Sequence, residues 1–130
     1  GMPAVHAPAP PRAMAVSLCG WSWAALALLE GAYAVYLGSG ALANGGSQET
    51  WILTVGFAVL TVFGGRLARG ILLGPSRRLL HVSLAAAGGH VLFAIRGLFL
   101  SGPVQPFIVL GAMAAVIMLI SWLAMRDMPD

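Results

Sequence analysis

The chain has 130 residues, 59% of them hydrophobic and only 8% charged, with a mean hydropathy of +0.90. Soluble domains carry about a quarter charged residues, so this composition cannot supply a water-facing surface and excludes a soluble globular domain. The net charge of +3 comes from seven arginines without a lysine; they flank or enter apolar segments and form no basic face, so no nucleic-acid partner is expected.

In chain order, Gly1 before Met2 reads as a tag remnant, and "PAVHAPAPP" is proline-rich without apolar periodicity. Residues 1–13 are therefore expected to be a disordered tail. A secretory signal is the weaker reading of the adjoining segment, because its apolar run is too long and carries Glu30. A spanning helix needs about 20 mostly apolar residues, and four segments qualify: Val16 to Gly38, Trp51 to Leu73, Leu79 to Leu100 and Pro106 to Met125. Turn-forming stretches separate them: "GSGALANGGSQET", then "GPS" with Ser76 placed to cap the third helix, then "SGPVQP". Trp21, Trp23, Trp51 and Trp122 lie towards span ends, where interfacial aromatics belong.

The fold class expected is all-α: a polytopic bundle of four transmembrane helices over 14–126, with a short tail at 127–130. Arg12, Arg66, Arg69, Arg77, Arg78 and Arg126 lie at the termini and around the second connection, whereas the first and third connections contain no Lys or Arg. Basic residues stay on the cytoplasmic side, so both termini are expected there, in a multi-pass protein of the inner (plasma) membrane. Arg66, Arg69, Arg77 and Arg78 form a cluster suited to anionic lipid headgroups. In span one, Gly20, Ala24, Ala27, Gly31, Ala34 and Gly38 repeat at alternating four- and three-residue intervals. Such a stripe lets backbones approach closely in lipid, against another span or against a second copy of the chain.

The remaining signal is a set of intramembrane polar groups. Glu30, in "ALALLEGAYAVY", falls about eight residues before the outer end of span one, roughly 12 Å deep. A carboxylate there costs several kcal/mol unless it is paired or protonated, and ionisable groups inside membranes default towards function. His90 lies roughly 16 Å deep on a small-residue face of span three, so the two match in depth to about 4 Å and meet if spans one and three touch. Tyr33, one turn after Glu30, is placed to donate to it. Arg96, six residues from His90 and about 120° around the helix, either snorkels outward or pairs with Glu30 or an anionic ligand. Glu30, His90, Tyr33 and Arg96 are the candidate ligand-binding residues. No metal or cofactor is expected: Cys19 stands alone, His81 and His90 point to opposite helix faces, and no zinc-ligand or nucleophile–base spacing occurs.

"LLEG" in span one, a glycine-rich span two running into "GRLARGILLGPSRR", and a short "SGP" turn before the last span carry a resemblance. In these features and in layout the chain resembles a diffuse group of actinobacterial four-span integral membrane proteins, for which no established activity carries over. Size and a helix-one carboxylate are also similar to small multidrug exporters, but "HVSLAAAGGHVLFAI" lacks their third-span aromatic and glycine signature. No "FSTFS"-like filter of the fluoride channels occurs either. Three functional readings are open. The first is binding or transport of a small hydrophobic or cationic ligand at Glu30 and His90, linked to protons. The second is an accessory subunit of a larger membrane complex or homo-oligomer, and the third an intramembrane enzyme on a lipid-like substrate with Glu30 and His90 as acid and base.

Overall fold

The computed structural model describes residues 11–99, 104–126 and 128. Four helices account for almost all of them: α1 (Pro11–Asn44), α2 (Gln48–Leu73), α3 (Arg77–Leu98) and α4 (Gln105–Arg126). Each is long and apolar enough to cross a membrane. The expected tail at 1–10, the end of span three at Leu100, the "SGP" turn and most of 127–130 lie outside the described residues.

Two boundaries differ from the sequence reading. Helix α1 opens at Pro11, inside the expected tail, where a first-turn proline forfeits no hydrogen bond. It also runs through Gly38 and Gly40 to Asn44, since "GSGALAN" holds no proline and Ala41 is buried. Its 34 residues span about 51 Å, well beyond the roughly 30 Å of a hydrocarbon core. The chain then reverses through Gly45, at φ +74°, and Gly46, where a Cβ would lie 2.5 Å from that of Ala41. Ser47 caps α2 by accepting from the Thr50 amide at 3.2 Å. Ser76 caps α3 through the Leu79 amide at 3.1 Å, as its position after "GP" predicts.

The buried positions repeat at intervals of three and four. They include Cys19, Trp23, Leu26, Glu30 and Ala34 in α1, Leu80, Ser83, Ala87, His90, Ala94 and Gly97 in α3, and Leu110, Ala114, Ile117, Ser121 and Ala124 in α4. That repeat averages 3.5 residues and suits an up-down four-helix bundle. The perimeter is apolar in the opposite sense to a soluble protein: Leu28, Val35, Leu42, Val55, Leu92 and Leu119 are all exposed.

The small stripe of α1 packs against α2 of the same chain, which answers the open question of its partner. In antiparallel register, Gly20 faces Leu72, Ala27 faces Gly64, Gly31 faces Thr61 and Gly38 faces Thr54. The Thr54 and Thr61 hydroxyls donate 2.8 Å bonds to the carbonyls of Thr50 and Phe57 one turn back. This satisfies the hydroxyls locally and leaves the methyl groups facing the glycines. Helices α3 and α4 interlock likewise, with the Phe107 ring occupying the space a Gly97 side chain would need and Ala94 against Gly111. Helices α2 and α3 touch least, and the backbones of α1 and α3, on the diagonal, nowhere come within 8 Å.

A Cβ on Gly31 would lie only 3.2 Å from the Thr61 methyl, so Gly31→Leu should force α1 and α2 apart. Overpacking of this kind costs about 1–3 kcal/mol, whereas Leu92→Ala, on the exposed face of α3, should stay within about 0.5 kcal/mol. Thermal unfolding of both variants in one detergent checks this; equal stability would remove the α1–α2 seam as the tight interface.

Candidate functional site: a buried carboxylate–imidazole pair

Helices α1 and α3 run parallel on the bundle diagonal, so a fixed offset aligns their buried stripes. Trp23 with Ser83 and Glu30 with His90 are each 60 residues apart, one heptad separating the two pairs on either helix. Side chains rather than backbones meet across this diagonal, and the α1 and α3 stripes supply an indole, a carboxylate, an imidazole and the Cys19 thiol for it.

Glu30 is 1% exposed and His90 6%. His90 Nε2 lies 3.0 Å from Glu30 Oε2, and its Nδ1 lies 2.8 Å from the Ala86 carbonyl one turn back. A carbonyl only accepts, so Nδ1 must carry a hydrogen. The Nε2–Oε2 contact then holds one proton, either as carboxylic acid and imidazole or as carboxylate and imidazolium. Both forms are neutral overall, which is what a low-dielectric interior tolerates. The other carboxyl oxygen, Glu30 Oε1, is buried and has no hydrogen-bond partner among the described residues. Leaving such an acceptor unsatisfied costs about 1–3 kcal/mol.

Below the pair, towards the end bearing the termini, Trp23 sets its edge against the His90 ring with centroids 5.5 Å apart. Its Nε1 donates to Ser83 Oγ at 2.7 Å. Ser83 Oγ lies 2.7 Å from Ser121 Oγ, and Cys19 Sγ approaches both, at 3.3 and 3.4 Å. Trp23 is thus no interfacial aromatic: it is fully buried, because the three–four stripe turns it inward and Ser83 satisfies its N–H. Trp21 and Trp122 are exposed, as interfacial residues would be.

Above the pair, rings from all four helices form a continuous edge-to-face layer. Tyr33 meets Phe57 at 5.2 Å, Phe57 meets Phe93 at 6.2 Å, and Phe93 meets Phe107 at 5.8 Å between centroids. Two recesses reach the pair from different sides. One, of about 250 Å³, is lined by Leu29, Glu30, Tyr33, Phe57, Phe107 and Leu110 among others. The other, of about 470 Å³, opens along the thin α2–α3 seam and reaches His90 between Phe63, Gly89 and Phe93.

Of the four candidate ligand-binding residues, the fold brings Glu30 and His90 into contact and sets Tyr33 beside them. The Tyr33 hydroxyl does not donate to Glu30, whose Oε1 stays unpartnered; its ring packs on Phe57 instead. Arg96 is exposed on α3 and forms no ion pair with Glu30, its rotation away from His90 carrying it off the buried face. Arg66, Arg69, Arg77 and Arg78 are exposed at the terminal end of the bundle, and Arg77 donates to the Met128 carbonyl at 3.1 Å. Among the described residues, no three His, Cys, Asp or Glu side chains gather as metal ligands. Sequence reasoning missed Cys19, Trp23 and Ser121 as one polar cluster, and Phe57, Phe93 and Phe107 as one layer. The residue types were visible along each helix; which helices face one another was not.

No protein-family model matches the chain, and no significant similarity to a curated protein or a solved structure was found. The functional reading therefore rests on the geometry of this site.

Ser83→Ala would leave the Trp23 N–H without its acceptor inside the bundle. Destabilisation by about 1–3 kcal/mol is expected, with a change in Trp23 near-ultraviolet dichroism. Ser121→Ala, which spares the Trp23–Ser83 bond, should cost less. Chemical unfolding in detergent checks the order; the reverse order would show that Ser83 does not anchor the indole.

Proposed function

We propose that this is a multi-pass protein of the inner (plasma) membrane that binds or transports a small hydrophobic or cationic ligand at the Glu30–His90 pair, with proton coupling. The observation that carries this reading is a buried, unpartnered Oε1 on Glu30, a residue that lines an apolar recess. A carboxyl group kept only for packing would have both oxygens satisfied or would be replaced by an apolar side chain, since intramembrane charge is costly. The bridging proton supports the coupling: its loss turns a neutral pair into an anion able to hold a cation. Exposed apolar side chains around the whole perimeter and four helices of spanning length support the membrane setting. The arginines at the termini and α2–α3 connection support an orientation with that end cytoplasmic, where they would meet anionic headgroups.

Glu30→Gln keeps the side-chain shape and can still bond His90, but cannot change charge. It should fold with wild-type thermal stability while losing the pH dependence of ligand binding or flux, whereas Glu30→Leu should destabilise the fold as well. Mass spectrometry of small molecules retained by the purified protein supplies ligands for the pH series. An unaltered pH profile in Glu30→Gln would reduce Glu30 to a packing residue.

Orientation has its own check. A cysteine introduced at Ser76 should react with an impermeant thiol reagent only from the cytoplasmic side, and one at Ser47 only from outside. Cys19 is fully buried and should stay silent in both. The opposite pattern would reverse the assigned orientation.

A further inference from the structure

We infer that the ligand of the recess at Glu30 is a hydrophobic organic monocation, an ammonium group on an apolar body, and that it binds by displacing the bridging proton of the Glu30–His90 pair one for one. This rests on the reading of the pair as a ligand site and names its substrate class and coupling.

Three features of the recess select that chemistry. Its walls carry the rings of Tyr33, Phe57 and Phe107, whose quadrupoles attract a cation and most strongly a desolvated one. Its remaining lining is Leu29, Pro106, Val109 and Leu110, which accept an apolar body, and the uncharged carboxamide of Gln105; no cationic side chain lines it to hold an anion. Its one carboxylate, Glu30, has a free oxygen. The volume of about 250 Å³ is the room of about eight water molecules at roughly 30 Å³ each, so the ligand is small. A metal ion would find Glu30 and His90 but no third His, Cys, Asp or Glu ligand among the described residues.

The exchange follows from charge. With the bridging proton in place the pair is neutral, and a bound monocation would leave one uncompensated positive charge inside the bundle. Losing that proton to water leaves a carboxylate beside a neutral imidazole whose Nδ1 hydrogen stays on the Ala86 carbonyl. The site with its cation is then neutral again. Among the described residues no other group competes for this role. From α1 the facing titratable groups are Glu30 itself and Tyr33, and from α3 His90. Helices α2 and α4 contribute only uncharged residues, since Glu49, Arg66, Arg69 and Arg126 are exposed near helix ends. Arg96 of α3 is exposed as well, and Cys19 lies eleven residues away in the serine cluster.

Isothermal titration of the full-length protein in nanodiscs, in two buffers of different ionisation enthalpy, tests both parts. Benzyltrimethylammonium has no proton to lose, so any proton released comes from the protein; neopentylbenzene is its uncharged isostere. Both are corrected for uptake by empty nanodiscs. The cation should bind at least tenfold tighter than the isostere and release close to one proton. Its affinity should rise by up to about tenfold per pH unit until the pair no longer holds the proton. Glu30→Gln should abolish the preference for the cation, and Phe57→Leu should weaken the cation several-fold with little effect on the isostere. Equal or tighter binding of the isostere, or binding of neither probe, overturns the ligand class; if Glu30→Gln still alters isostere binding, the ligand site itself stands. Tight cation binding without proton release overturns the exchange. Cation binding indifferent to Glu30→Gln, in a variant that unfolds at the wild-type temperature, removes both this inference and the site on which it rests.

Discussion

The bridge between Glu30 and His90 is the constraint around which the bundle is organised. It joins two helices whose backbones are too far apart to pack, at a depth where neither side chain could remain alone. Its two members can share one proton and stay neutral, which removes most of the cost of placing ionisable groups there. Trp23 extends the same solution one heptad along, filling the diagonal with an indole whose N–H is satisfied by Ser83. The diagonal is therefore held by polar contacts among large side chains, while the sides of the bundle are held by small residues.

That division gives the two halves of the molecule different character. Along α1 and α2, glycines and alanines meet threonine methyls at distances that leave no slack, and α3 and α4 are keyed by the Phe107 ring against Gly97. The α2–α3 seam has no comparable row of small residues, and the second recess opens there. The pair thus sits between tightly joined helix pairs and a looser seam, with an aromatic layer above it and a closed polar cluster below. Both recesses that reach the pair are lined by aromatic rings, one by Tyr33, Phe57 and Phe107 and the other by Phe63 and Phe93.

Much of the architecture was legible in the sequence because the forces that set it are local. Hydropathy and length marked four helices, and Ser76 announced its own cap. The alternation of three and four in the small residues of α1 marked an interface. The errors came where local and tertiary signals compete. Gly38 and Gly40 read as a break, yet helix packing at Ala41 carries α1 further; Trp23 read as interfacial from its place near a span end, yet its heptad phase buries it.

By itself, the sequence determined that Glu30 and His90 are costly inside apolar helices, that they lie at similar heights along their spans and that His90 sits on a small-residue face, because height and phase along a single helix follow from counting residues. Only the tertiary structure decided that α1 and α3 are diagonal and parallel in register. That arrangement brings the two side chains into contact, leaves Oε1 alone and turns Arg96 away. It also directed the small stripe to α2 of the same chain and gathered Cys19, Trp23, Ser83 and Ser121 into one cluster. Which helix faces which depends on the joint packing of four interchangeable apolar stripes, and no single stripe encodes its partner.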